Sequence, residues 1–178
     1  MASAESMAVA QKSGQREGAS DKRAGKYLTF RLEDEEYGLE ILKVREIIGL
    51  MDITHIPRTP DWVRGVINLR GKVIPVVDTR LKFGMKALED TVETCIIVVE
   101  VKKAGEALEM GILVDAVSEV LDITAQEIED TPEFGAGLDT QFILGMAKAK
   151  GGVKILLDID KVLTEEDIIK IQTTADNV

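Results

Sequence analysis

Gly65-Val66-Ile67-Asn68-Leu69-Arg70-Gly71-Lys72-Val73-Ile74-Pro75-Val76-Val77-Asp78 lies without a gap on Gly145-Met146-Ala147-Lys148-Ala149-Lys150-Gly151-Gly152-Val153-Lys154-Ile155-Leu156-Leu157-Asp158. Two glycines, a valine and the closing aspartate are identical, and Arg70 falls on Lys150. Both copies read as strand, tight turn, strand and cap. Val63 to Asn68 and Val73 to Val77 form strands around Arg70-Gly71-Lys72, and Phe142 to Lys148 and Val153 to Ile159 form strands around Gly151-Gly152. Pro75 has no N–H to give to a ladder, so its strand is an edge or is interrupted there. Asp78 caps a short helical turn through Leu81, which Gly84 ends.

The repeat extends outward. Tyr37 to Ile48 returns as Met110 to Leu121, and Thr59-Pro60-Asp61-Trp62 returns as Thr131-Pro132-Glu133-Phe134. Leu28, Phe30 and Leu32 alternate onto one face, and Tyr37 to Ile41 returns after the acidic turn Glu33–Glu36, which predicts a hairpin. Val44 to Leu50 follows after a short turn or one helical turn. Thr59 before Pro60 predicts an N-cap and a short helix carrying Trp62. Strands Cys95 to Val101 and Leu108 to Val114 flank a Lys102–Gly105 turn. Thr124 with Glu127 has capping-box spacing, and Thr164 with Asp167 caps a last helix over 165–172. Short strands at regular spacing with brief helices describe an all-β barrel or sandwich, and a duplication describes two small barrels that share apolar residues where they meet. The lobes are expected at about 33–92 and 93–163, within a domain spanning 26–172.

The 178 residues carry 22 basic and 32 acidic side chains, a net charge of −10. Five basic and three acidic residues fall in the first 26, so the body is more acidic than the whole. Such a body repels phosphate backbones and anionic lipid. Residues 1–25, rich in Ala, Ser, Gly and charge, are expected to be a disordered tail, and 173–178 a short tail at the other end. No leader pattern opens the chain, and no apolar run reaches the roughly 20 residues of a membrane helix, so a cytoplasmic protein is expected.

Little in the sequence supports catalysis. The one histidine, His55, stands in a loop context before Pro57, and the one cysteine, Cys95, reads as a small core residue. Zinc spacing, a dinucleotide fingerprint and a phosphate loop are all missing, so no metal or cofactor is expected. Asp158 and Asp160 alternate onto one strand face, where they could act as acid and base or hold a cation. The alternative is that Asp158 repeats the capping role of Asp78 and Asp160 caps the next turn. A carboxylate-based hydrolase is the enzymatic alternative. Arg70, in a turn flanked by glycine, and Glu46, in an apolar segment, are either solvated surface charges or a pair that shapes a binding surface.

The segment Gly65 to Arg80 resembles the signature of the CheW family of bacterial chemotaxis coupling proteins. Tyr37 to Ile47, Pro132-Glu133-Phe134 and Ile155 to Leu163 are similar to that family's other segments, and the likeness covers about Lys26 to Gln172. The resemblance implies two pseudo-symmetric five-stranded Src-homology-3-like barrels with a C-terminal helix and no enzymatic activity. It implies an adaptor between chemoreceptors and the histidine kinase CheA, recruited to membrane-associated arrays. The kinase's regulatory domain would dock barrel to barrel, and the receptor's signalling tip would lie in a groove between lobes. Val44, Glu46, Asn68, Arg70 and Gly71 match positions implicated in that coupling. Ile47, Ile48, Leu50 and Met51 are candidates for apolar residues left over to mark a groove. A coupling protein of another sensory pathway is the close alternative.

Overall fold

The computed structural model describes residues 22–103, 105–132 and 140–176, with side chains to residue 171. Eleven strands fill most of it: β1 Gly25–Leu32, β2 Glu35–Glu40, β3 Val44–Gly49, β4 Val63–Leu69, β5 Lys72–Asp78, β6 Cys95–Lys103, β7 Glu106–Val114, β8 Ala116–Ile123, β9 Ile128–Glu129, β10 Ile143–Ala149 and β11 Gly152–Leu157. The helices are α1 Thr79–Lys82, α2 Ile159–Val162 and α3 Glu165–Asp176. A 3-10 turn, Ile41–Lys43, links β2 to β3, and a second, Ala125–Glu127, follows β8.

The strands form two mixed sheets, ordered β8-β1-β2-β11-β10-β9 and β3-β6-β7-β5-β4. Leaving out the two-residue β9, each order maps onto the other by the sequence repeat. The lobes are therefore not 33–92 and 93–163. The first hairpin, β1-β2, builds a sheet with β8, β10 and β11 of the second copy, and β6-β7 builds one with β3, β4 and β5 of the first. Parallel pairing seals each exchange: Gly38 lies opposite Leu156, and Gly111 opposite Val76, at matching places in the two copies. Both glycines sit in close quarters. A Cβ on Gly38 would stand 3.0 Å from Leu156 Cδ2, and one on Gly111 would stand 2.7 Å from Ile96 Cγ2.

Turn chemistry sets the register. Leu69 pairs with Lys72 and Ala149 with Gly152, leaving two-residue loops in which Arg70 and Gly71 have φ of 54° and 84°, and Lys150 and Gly151 of 45° and 77°. Positive φ at both positions is a type I′ turn, whose twist matches the strands it joins. Parallel pairing of β5 begins at Val76, directly after Pro75, so the missing N–H leaves no gap in that ladder. Gly65 and Gly145 sit at strand irregularities, where Thr54 and Glu129 come in against β4 and β10.

One core is shared. Leu28, Phe30 and Leu39 of one sheet pack with Val77, Ile97 and Ile112 of the other, closed by Leu163, Ile168 and Ile171 near the C-terminus. Smaller clusters around Leu121 and Leu156, and around Ile74 and Val76, serve the two sheets separately. A run of rings leads from Phe30 through Tyr37 and Phe83 to Phe142, stacked at its two ends and tilted in the middle, with centroids 5.8, 5.9 and 5.1 Å apart.

Several local expectations change. Arg23 already bonds Asp130 and the carbonyl of Leu144, and β1 starts at Gly25, so order begins before residue 26. The C-terminal helix runs to Asp176, beyond 172. No helix carries Trp62. Thr59 bonds back to the Ile56 carbonyl, and the Val63 N–H to Pro60 closes a turn, because β4 begins only one residue after Trp62. Cys95 is half-buried at a strand start, bonded to the Glu93 carbonyl. Ile48 packs against a core cluster, whereas Ile47, Leu50 and Met51 remain exposed. Glu133 and Phe134 lie outside the described residues.

Candidate functional site

β3 and the β4-β5 turn bring the sequence candidates together. Val44 opens β3, half-buried against the shared core, and the register slips between it and Glu46. Glu46 meets the turn that follows β4. Arg70 Nη1 and Nη2 donate to the two oxygens of Glu46 at 2.8 and 2.5 Å, a fork-to-carboxylate pair. Asn68 holds the turn beneath it: its Oδ1 accepts the Gly71 N–H at 2.9 Å. The hydrogen bonds from Arg70, reinforced by its charge, hold the Glu46 carboxyl below the usual carboxylate range, and the same bonds raise the guanidinium pKa. Arg70 leaves 72% of its side chain exposed, so the pair is an oriented surface charge that adds little stability. Exposed Ile47 and Val73 lie on the same sheet, at 43% and 44%.

The other lobe carries a counterpart. Glu119 of β8 accepts Lys150 Nζ from the β10-β11 turn at 3.0 Å. Val120 and Val153, the repeat partners of Ile47 and Val73, are 49% and 51% exposed. Sequence reasoning missed this second pair, although the alignment already set Glu46 on Glu119 and Arg70 on Lys150. The two are not equivalent in chemistry, since Arg70 presents a planar fork and Lys150 a point charge.

Two further ion pairs pin the loops that cross between the sheets. Arg80 of α1, only 5% exposed, grips both oxygens of Asp115 between β7 and β8 and reaches Glu33 at 3.3 Å. Lys43, at the end of the turn before β3, meets Asp160 of α2 at 2.8 Å. Each acid also takes a backbone N–H from a hairpin: Glu33 donates to Asp115 and Lys102 to Asp160. The signal for these contacts was weak. Arg80 and Asp160 fall on one another in the repeat, but with opposite charge.

The residues proposed for acid–base chemistry are otherwise engaged. Asp158 is the N-cap of α2, accepting the Asp160 N–H at 3.1 Å, as Asp78 caps α1 by accepting from Leu81. Asp160 lies inside α2, so the two do not share a strand face, and it bonds Lys43 and Lys102 instead of capping the next turn. Thr164 and Asp167 form that next cap reciprocally. His55 is an exposed loop residue. Among the described residues no three His, Cys, Asp or Glu side chains cluster as metal ligands, and no helix is long and apolar enough to cross a membrane.

Two interlocked β lobes, each with an ion pair presented at its surface, define a scaffold-type protein. Comparison with known proteins makes the family definite. The model of the CheW-like domain matches residues 26–167, and the chain belongs to that family. It is 40% identical over 149 residues to chemotaxis protein CheW of Klebsiella aerogenes, covering 84% of this chain and 87% of that one. It is 39% identical over 140 residues to CheW of Rhizobium meliloti, covering 79% and 88%. The crystal structure of the scaffolding protein CheW from Thermoanaerobacter tengcongensis superposes with a TM-score of 0.70 at 36% identity, over 81% of this chain and 95% of that one.

Proposed function

We propose that this chain is the adaptor that couples methyl-accepting chemoreceptors to the histidine kinase CheA, acting by binding alone. Its partners are the kinase's regulatory domain and the receptors' cytoplasmic signalling tip. Val44, Glu46, Asn68, Arg70 and Gly71 form the docking surface. The protein acts in the cytoplasm, recruited to receptor arrays, without nucleic acid, cofactor or membrane insertion. The observation that carries this reading is the Glu46–Arg70 pair. An exposed arginine in a left-handed turn is an unfavourable choice for stability, and here it is held in one orientation by a carboxylate on β3, the opposite edge strand of the sheet from β4. Such a pre-set fork suits recognition of a partner barrel, with Val44 and the exposed Ile47 supplying apolar contact beside it. The match to chemotaxis scaffolds along most of the chain supports the same reading.

The test is titration calorimetry of the full chain against the kinase regulatory domain and a receptor tip. Binding to each is expected, and Arg70→Glu is expected to weaken at least one about tenfold or more while moving the melting temperature by only a few degrees. Absence of heat with both partners at high micromolar concentration would overturn the adaptor reading. Unchanged affinities in the variant would remove this surface from it.

A further inference from the structure

The chain passes from one sheet to the other at two crossovers, 41–43 and 115, and an ion pair fastens each in the same way. A helix that follows a capping aspartate reaches the last residue before an outer strand: Asp160 of α2 holds Lys43 before β3, and Arg80 of α1 holds Asp115 before β8. The outer strand then carries the exposed pair of its lobe, Glu46 on β3 and Glu119 on β8. We infer that Asp160 is a positioning residue for docking: it touches no partner, but fixes where β3 begins and thereby where the Glu46–Arg70 fork points. This rests on the docking surface proposed above.

The geometry gives Asp160 little other work. Oδ2 takes Lys43 Nζ and Oδ1 takes the Lys102 N–H, both at 2.8 Å, so the carboxylate ties the crossover to the end of β6. β6 is the strand on which β3 lies, with Val44 opposite Val99 and Glu46 opposite Val98 after the register slip. A strand whose start is clamped and whose next residues are bulged has one free variable, the placement of that bulge. Lys43 and Asp160 keep about a quarter of their side chains exposed, at 25% and 28%, so the clamp is accessible to water and not part of the apolar core. The same arrangement with reversed signs at Arg80–Asp115 shows that the position, and not a particular residue, is what the fold uses.

Asp160→Ala in the full chain tests this, with Asp160→Asn beside it because an amide oxygen still accepts from Lys102 while the charge on Lys43 goes unanswered. Hydrogen exchange at the amides of Val44–Gly49 is expected to quicken about fivefold or more in Asp160→Ala relative to the β10-β11 hairpin, and less in Asp160→Asn. Affinity for the kinase regulatory domain or receptor tip should fall about three- to tenfold, in the same order, although Arg70 is not substituted. Uniform quickening across the chain, or none in β3, would show Asp160 to be merely structural and overturn the inference. So would loosened β3 amides with undiminished binding in a protein whose Arg70→Glu variant does lose affinity. If Arg70→Glu also binds normally, it is the docking surface that fails.

Discussion

Glycine and its neighbours show most directly how single residues hold the site. Gly65 has φ of 145°, and a Cβ there would run into the carbonyl of Thr54 and stand 2.9 Å from Ile53 Cγ2. Gly71 has φ of 84° but open space around it. Strain plus collision should make Gly65→Ala cost about 3 kcal/mol or more, whereas Gly71→Ala should cost about 1 kcal/mol from backbone strain alone. Urea unfolding of the two variants checks the difference, and similar costs would mean that the Thr54 approach is soft. The two also differ in function. Gly71 donates to Asn68 in the turn that presents Arg70, so its alanine variant should lose binding out of proportion to its stability. That glycine and Arg70 would be adjacent in a tight turn was legible in the sequence. That Arg70 itself takes the left-handed conformation was not, because side chains of its type rarely do.

Elements are joined by charges whose titration can be predicted in sign. Asp115 is partly desolvated, which raises its pKa, but the Arg80 hydrogen bond, the Glu33 N–H and nearby positive charge outweigh this, and its pKa lies below the ordinary carboxylate value. Asp167, which accepts from Lys82 and Thr164, is lowered on the same balance. A carboxylate depressed in the fold stabilises it above its unfolded pKa of about 3.9, and that contribution fades as pH falls through the folded value. Glu40 is the reverse. Burial first, then the negative charge of Asp158, raises its pKa, so its ionised form opposes folding at neutral pH. Glu40→Gln should therefore raise the melting temperature at pH 7 and have little effect near pH 3, and Asp115→Asn should lower it at pH 7 and flatten the acid decline. Melting curves from pH 2.5 to 7.5 decide both. The crossover pairs carry a further consequence. If each copy of the repeat folded on itself, the matching contacts would be Lys43 with Arg80 and Asp115 with Asp160, repulsive in both cases. Reversing the two helix charges, Arg80→Asp with Asp160→Arg, should destabilise the native fold by roughly 3 kcal/mol or more, and adding Lys43→Asp with Asp115→Lys should recover much of it. Additive losses in chemical unfolding would show that the signs carry no such specificity.

At the scale of the molecule, what could be read from the chain was what is local and periodic: hairpins, capping aspartates, the places of the tight turns, and the doubling itself. The exchange between copies was not legible, because Gly38 against Leu156 and Gly111 against Val76 are parallel contacts between residues more than thirty positions apart, and no short-range pattern marks them. A helix at Trp62 was over-read from a capping signal that tertiary pairing overrode. The exchange makes one strong prediction. Cutting the chain between the copies, near residue 92, leaves β1-β2 without the four strands that complete its sheet, and leaves β6-β7 likewise incomplete. Each fragment also loses half of the shared core, in which Phe30, Val77, Ile97 and Leu163 meet. Neither piece should give dispersed amide spectra alone, since each exposes unpaired strand edges and apolar faces that nothing in its own sequence covers. Mixed in equal amounts they should refold together into a complex with the spectrum of the intact chain. A cut between true sequential domains would behave differently, yielding two folded pieces that ignore each other. Spectra of the fragments singly and combined separate these outcomes. The interlocked result would also explain how the two docking-type faces stay in fixed relation: the strands that present Glu46 and Glu119 each complete a sheet begun by the other copy.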